Sequence, residues 1–485
     1  MQRGYSAKHK VRLITATSLF DGHDASINVM RRILQASGAE VIHLGHNRSV
    51  DEIVTAALDE DVQGIAVSSY QGGHVEFFRY MIDLLRERGG AHVKVFGGGG
   101  GVIVPSEAAV LHAYGVTRIY TPEDGARMGL QGMINDILIA CDFDQSAAGS
   151  VELQRVAEGD RRQLASLLTL LENGTVDTHA RVNLRERALA IRNVPVLGIT
   201  GTGGSGKSSL TDELVRRLRL DQNDCLKVAL IAVDPSRRKS GGALLGDRIR
   251  MNAIYSPRIY MRSLATRDSP SELATCAPDV IAACKIAGFD LIIIETSGIG
   301  QGDAGIVPLV DTSLYVMTPE YGAASQLEKI DMIDFADYVA INKFDRKGGE
   351  DALRDVRKQV QRNREAFGKP ASEMPVFGTI AARFNDDGVS ALYQALKPAL
   401  AAHGLRFEAA RMAAVTVRAS TGNLSIVPAS RTRYLAEIAV VVRAYHSHAL
   451  NQSRIARERQ QLMETKRMLR ESPSSPRTGG HFGSA

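Results

Sequence analysis

Between Val11 and about Cys141, short apolar runs rich in β-branched residues alternate with stretches in which apolar residues return every three or four positions. The first pattern reads as buried strands and the second as amphipathic helices. Strands are expected near 11–18, 39–45, 64–69, 93–98 and 118–122, each followed by a helix. Such units predict a doubly wound α/β sheet of flavodoxin-like order, in which ligands bind at the carboxyl ends of the strands, beside the switch point after the first one. From Gln145 to Arg192 the pattern is helical and charged, with one leucine-rich face (Leu164, Leu167, Leu168, Leu170, Leu171) that ends at Asn173-Gly174. It reads as a helical linker whose leucines pack rather than bind. Alternation resumes at a strand over 194–200. Pro428 to Arg470 reads as one long charged helix, and the composition of the tail from Ser472 predicts disorder. The expected division is 1–145, 146–192, 193–402 and 403–485.

With 44% hydrophobic residues the chain can bury ample cores, and no apolar run reaches the roughly 20 residues of a membrane span. Fifty-nine basic residues against 54 acidic ones leave a net charge of +5, too balanced to call for nucleic acid or membrane as partner. Cys141, Cys225, Cys276 and Cys284 show no C-x-x-C spacing and sit in apolar segments, which fits reduced thiols in the cytoplasm.

The stretch Val196 to Leu210 turns from an apolar strand into glycines and then into a helix. Gly201, Gly206, Lys207 and Ser208 match G-x-x-x-x-G-K-[ST], at which backbone N–H groups converge on phosphate oxygens. The expected nucleotide contacts are Gly201, Gly203, Gly204, Ser205, Gly206, Lys207, Ser208 and Ser209. Lys207 is expected at the β/γ-phosphates and Ser208 on Mg²⁺, with the helix dipole aimed at the anion.

Further along, Asp234 closes an apolar strand, Asp247 sits in a glycine-flanked loop, and Leu291 to Ile294 end in Glu295-Thr296. An acidic strand end is where Mg²⁺ is held in phosphate-loop enzymes. Glu295 is the first candidate, with Asp234, Asp247 and Thr296 beside it. As single residues these could equally be caps or turn formers. Arg250 could meet a phosphate, and Gln301 could orient water or be an ordinary loop residue. Asn342-Lys343-Phe344-Asp345 ends another strand as N-K-x-D, which places Asp345 to accept both the ring N–H and the exocyclic amine of guanine. Adenine offers neither there, so GTP is the expected substrate.

At the switch point of the first region lies Phe20-Asp21-Gly22-His23-Asp24-Ala25-Ser26. A lone loop histidine is usually a solvated surface residue. Here Asp21 stands two residues before His23, where its carboxylate could fix the imidazole tautomer for metal ligation. Ser68-Ser69-Tyr70 and Gly97 to Gly101 then leave room at the next strand ends for a large ligand.

These residues carry two resemblances. Asp-Gly-His-Asp-Ala-Ser, Ser-Ser-Tyr and the glycine run resemble the D-x-H-x-x-G, S-x-L and G-G signatures of cobalamin-binding domains from acyl-CoA mutases, departing at Ser26 and Tyr70. The resemblance implies adenosylcobalamin as cofactor, His23 as lower ligand of cobalt with Asp21 behind it, and a slot for the cofactor's tail beside Ser68, Gly98 and Gly99. The order of phosphate loop, A-V-D-P-S, G-D-R-x-R-M, E-T-S-G-I-G-Q and N-K-F-D resembles the mutase-associated GTPases of the MeaB/ArgK type, which act as chaperones of cofactor loading.

Cobalamin domain, linker and GTPase follow one another as in fused acyl-CoA mutases of the isobutyryl-CoA or methylmalonyl-CoA type, where a substrate-binding barrel comes next. Such a barrel takes about 250 residues, more than remain here. The expectation is therefore a GTP-hydrolysing homodimer that serves a mutase barrel carried on another domain or subunit and does not isomerise acyl-CoA alone. The competing expectation is a non-catalytic cobalamin carrier or sensor regulated by bound GTP.

Overall fold

The computed structural model describes residues 4–145, 151–191, 193–267, 269, 271–298, 304–322, 327, 330–408, 410–421 and 434–471. Residues up to 422 form one compact unit, and the helix Tyr434–Glu471 belongs to another.

Two parallel sheets build the first unit. Strands β1 (Arg12–Ser18), β2 (Glu40–Arg48), β3 (Gly64–Ser68), β4 (Lys94–Gly98) and β5 (Arg118–Tyr120) lie in the order β5-β4-β3-β1-β2, the flavodoxin-like order expected from the alternating pattern. Isoleucine, valine and leucine on these strands are buried on both faces because helices cover both, as parallel sheets require. One feature of this sheet was not expected. A sixth strand, β8 (Ala243–Leu245), pairs in parallel with β2 although it lies far downstream in sequence. Ala243, Leu245 and Ala265 consequently share a core with Ile14, Ile42 and Val54, so the first half does not close its own core.

The second sheet comprises β6 (Val196–Gly201), β7 (Val228–Asp234), β9 (Ile259–Ala265), β10 (Leu291–Glu295), β11 (Thr312–Met317), β12 (Tyr338–Asn342) and β13 (Val376–Thr379). Its order is β13-β12-β11-β6-β10-β7-β9. β6 is central, which sets the glycine loop at the carboxyl edge between the acidic end of β10 and the N-K-x-D end of β12. Within 146–192 the structure describes three helices. The leucine face of Arg161–Glu172 (Leu164, Leu167, Leu168, Leu171) buries in the core of this second sheet with Val280 and Cys284, so those leucines pack.

Charged residues fill the seam between the two sheets. Arg12 of β1 meets Glu40 at 2.8 Å, Glu172 at 2.6 Å and Glu60 at 3.4 Å. Arg262, fully buried on β9, meets Glu172 at 3.0 Å. Every one of these charges has an opposite partner, the condition under which burial of ions is tolerated.

The helix Tyr434–Glu471 runs 38 residues, close to the expected 428–470, and none of its residues is buried. Among the described residues no helix is long and apolar enough to cross a membrane. All four cysteines are free thiols, and burial pushes Cys141, Cys276 and Cys284 up to about 12.

Candidate functional site

The glycine loop closes around its helix as the spacing requires. Gly206 caps the helix Lys207–Asp221 with φ +88, and a Cβ there would lie 2.5 Å from the side-chain nitrogen of Asn342. Only glycine fits. Asn342 Nδ2 donates to the Ser205 carbonyl at 2.8 Å, and Lys343 Nζ donates to the Gly204 carbonyl at 2.7 Å, so the N-K-x-D segment braces the loop from the far side. Gly203 and Gly204 face solvent, and Ser209 lies in the first turn of the helix. Lys207 Nζ donates to Gly201 O at 3.1 Å and Thr202 O at 3.4 Å. The hydroxyls of Thr202 and Ser205 are buried without a protein partner, which is what a loop shaped for a polyanion presents.

Below the loop the Ser208 hydroxyl sits 2.9 Å from Asp247 Oδ1 and 2.7 Å from Glu295 Oε1. Thr211 donates to the other Glu295 oxygen at 2.9 Å, and the Gly246 N–H donates to Asp234 at 2.9 Å. Burial and the neighbouring Asp247 push Glu295 up to about 8, against the opposing pull of Ser208 and Lys207. Burial, then Asp247, likewise raises Asp234 well above the usual carboxylate range. A cluster so short of positive charge fits a divalent cation. Among the described residues no three or more His, Cys, Asp or Glu side chains lie at ligand spacing. A cation held here would take one hydroxyl and one or two carboxylates from the protein, with other positions left to water and phosphate oxygens, the coordination Mg²⁺ prefers.

Thr296 is not brought into this cluster: its hydroxyl donates to Glu272 at 3.1 Å and lies 2.8 Å from that of Thr200. Arg250 is exposed, 3.8 Å from Asp247. Gln301 lies outside the described residues. Asp345 is exposed at the rim of a cavity of about 400 Å³ that also takes in Ile380 and Arg383.

At the other sheet, His23 is 77% exposed in its side chain, while the Asp21 carboxylate behind it is buried. Burial would raise Asp21, but N–H donation from Tyr70 and His23, together with the imidazole, holds it below its ordinary value. Next to His23 opens a cavity of about 540 Å³ lined by Ser26, Ser68, Tyr70, Gly98 and Gly99, largely apolar residues completing it. A Cβ at Gly99 would fall 2.0 Å from the Ser69 carbonyl oxygen, and the Ser68 hydroxyl lies 3.2 Å from that of Thr17. The Ser26 hydroxyl is buried in this region without a protein partner. A deep slot with an unmatched hydroxyl beside an outward imidazole fits a cofactor with a polar tail and a ligand-accepting metal.

Residues 164–474 match the family described as Methylmalonyl Co-A mutase-associated GTPase MeaB. The chain belongs to this family. Residues 11–126 match the B12 binding domain. The fused isobutyryl-CoA mutase of Cupriavidus metallidurans is 66% identical over 466 residues, covering 96% of this chain and 42% of that protein. Those of Paraburkholderia xenovorans (50% over 592 residues, 96% and 46%) and Nocardia farcinica (59% over 454 residues, 94% and 42%) align similarly. The chain spans less than half the length of these relatives and is homologous to their N-terminal part. It is a MeaB-type GTPase fused to a B12-binding domain.

Sequence reasoning missed two parts of this MeaB-type site. The Thr379–Ala381 segment meets the N-K-x-D strand, with Ala381 N donating to Asn342 Oδ1 at 3.0 Å and the Thr379 hydroxyl at 3.3 Å. Its one trace in the sequence is a threonine closing the apolar run Val376–Phe377. The second part is Arg248, buried next to Asp247 and paired with the B12-binding half.

Proposed function

We propose that this chain hydrolyses GTP to GDP and phosphate and thereby supports loading and protection of adenosylcobalamin in an acyl-CoA mutase of the isobutyryl-CoA or methylmalonyl-CoA type. The observation that carries the hydrolytic half is the Ser208 hydroxyl held between Asp247 and Glu295 at the foot of the glycine loop. In this reading the loop amides from Gly201 to Ser209 and Lys207 hold the β/γ-phosphates, while Ser208, Asp247 and Glu295, with Asp234 behind them, hold Mg²⁺. The ion supplies charge neutralisation at the phosphate oxygens, the main need of phosphoryl transfer. Asp345 selects guanine, and Asn342 and Lys343 keep the loop in register with it. Arg250 approaches a phosphate, and Gln301 orients the attacking water.

Adenosylcobalamin is held through His23, oriented by Asp21, with its tail beside Ser68, Gly98 and Gly99. When bound it supplies radical chemistry. The substrate-binding barrel that uses this chemistry is a separate domain or subunit. The functional division follows 1–145 for cobalamin, 146–192 as connection, 193–402 for GTP and 403–485 as arm and tail. The working unit is a homodimer in the cytoplasm; the free thiols support a reducing compartment.

GTP turnover measured with and without a separately supplied mutase barrel tests the proposal. Stimulation by the barrel is expected. Unchanged turnover across a range of barrel concentrations would rule out the chaperone role.

A further inference from the structure

The segment from Asp234 to Asp247 begins and ends at the metal end of the nucleotide site, yet its middle belongs to the other sheet. Ala243, Leu244 and Leu245 pair in register with Glu40, Val41 and Ile42 of β2. The Ser240 hydroxyl donates to the Gln35 carbonyl at 3.1 Å, and Ala243 N donates to Ala39 O at 3.1 Å. Directly after this strand comes the short turn Asp247–Arg250. Its first residue touches Ser208. Its second, Arg248, points the opposite way and is buried, with Asp59 at 3.0 Å and Glu60 at 3.5 Å, both at the end of the helix Val50–Asp59 and its cap. Its third, Ile249, lies where a Cβ on Gly45 of β2 would meet it at 2.8 Å.

A turn of four residues cannot rotate at one residue without moving the next, since the peptide units joining them are planar and stiff. Asp247 is therefore held from two sides, by the Gly246 N–H on Asp234 before it and by whatever fixes Arg248 and Ile249 after it, and every contact named for those two side chains except one carbonyl, Met261 O at 3.4 Å from Arg248, comes from the B12-binding half. We propose that Arg248 is a positioning residue for GTP hydrolysis: clamped by Asp59 and Glu60, it holds the turn so that Asp247 faces Ser208, and the B12-binding half is thereby a working part of the metal end of the GTP site. This rests on the hydrolytic reading above. A packing role alone would stabilise the seam without tuning Asp247, and the two roles separate in their dependence on Mg²⁺.

The test uses the full chain and a fluorescent, non-hydrolysable GTP analogue, with the Mg²⁺ concentration for half-maximal binding as readout and turnover alongside. Arg248→Met and, from the other side of the seam, Glu60→Gln are each expected to raise that concentration about tenfold, the range seen when a residue behind a metal ligand is lost. Binding without Mg²⁺ should stay within about twofold, because the glycine loop and Asp345 are untouched. Arg248→Lys, which keeps the cation, should recover much of the effect. Glu60→Gln keeps the size of the side chain, and so carries the test if Arg248→Met does not fold. An unchanged Mg²⁺ midpoint in a folded variant, or equal loss with and without Mg²⁺, overturns the proposal. If the unmodified chain binds the analogue with Mg²⁺ but never turns over GTP, hydrolysis fails while the midpoint shift still decides the role of Arg248.

Discussion

Asp21 Oδ1 lies 2.8 Å from Nδ1 of His23, so a buried carboxylate orients an imidazole that is itself largely exposed. With Nδ1 engaged, Nε2 is the nitrogen directed to a ligand. Cobalamin bound to the full chain is expected to show the base-off spectrum in which imidazole replaces the cofactor's own base. Asp21→Ala should weaken cobalamin binding by roughly 10- to 100-fold, the usual cost of losing the partner behind a ligating histidine. His23→Ala should cost more, since the bond itself is removed. A spectrum and titration unchanged in His23→Ala would return this histidine to the surface.

Lys207→Ala separates the two sites. Its ammonium lies among the loop carbonyls on the second sheet, whereas the cavity beside Ser68, Gly98 and Gly99 opens on the first. Nucleotide binding and turnover should both fall steeply, because the point charge of a buried ammonium facing the phosphates is lost. Cobalamin titration should remain unchanged. Loss of both activities in one variant would mean a shared site or a misfolded chain.

What could be read in the sequence was what a few adjacent residues decide. The strands are short continuous apolar runs, the glycine loop needs Gly206 and Lys207 side by side, and Asp21 reaches His23 across two residues. Arg248 and Glu60 lie 188 residues apart; Arg248 stands in G-D-R-x-R-M, but nothing local to that motif names Glu60 as its partner. β8 was hidden for a related reason: Ala243–Leu245, flanked by Gly241-Gly242 and Gly246, is too short to read as a strand and becomes one only because β2 offers its edge. The first half consequently looks self-contained in the sequence but takes Ala243, Leu245 and Ala265 into its core. Thr296 follows the acidic strand end as a metal site would have it, yet Glu272, which no local pattern marks, takes its hydroxyl.

In the proposed function, base selection rests on Asp345. At the rim of its cavity the carboxylate can accept two hydrogen bonds from guanine, each to a charged acceptor. Asp345→Asn replaces one acceptor by a donor, and GTP affinity should fall by about 3 kcal/mol or more. Competition of GTP, ATP and xanthosine triphosphate for the same fluorescent nucleotide measures this. Equal affinity of the unmodified chain for GTP and ATP would remove the guanine assignment.

His43 makes the stability of the first sheet depend on pH. It is buried on β2 with Nδ1 2.9 Å from the Thr15 hydroxyl. Burial, then the charge of Arg31 and more weakly that of Arg48, opposes its protonation, and Thr15 and Asp24 only partly compensate, so its pKa falls from 6.5 to about 4. Well above pH 6.5 the imidazole is neutral whether folded or unfolded, and it contributes no pH dependence. Between pH 6.5 and about 4 the unfolded chain binds a proton that the folded chain refuses, so stability drops as pH falls, by about 2 kcal/mol at pH 5 and about 3 kcal/mol at the lower end. His43→Asn keeps a polar atom near the Nδ1 position but cannot titrate. Urea unfolding of both proteins at pH 7.5 and pH 5 isolates the effect, since the other acids titrate equally in each. The unmodified chain should lose the extra 2 kcal/mol or so on acidification, and a variant that loses just as much would show that His43 takes up its proton without unfolding.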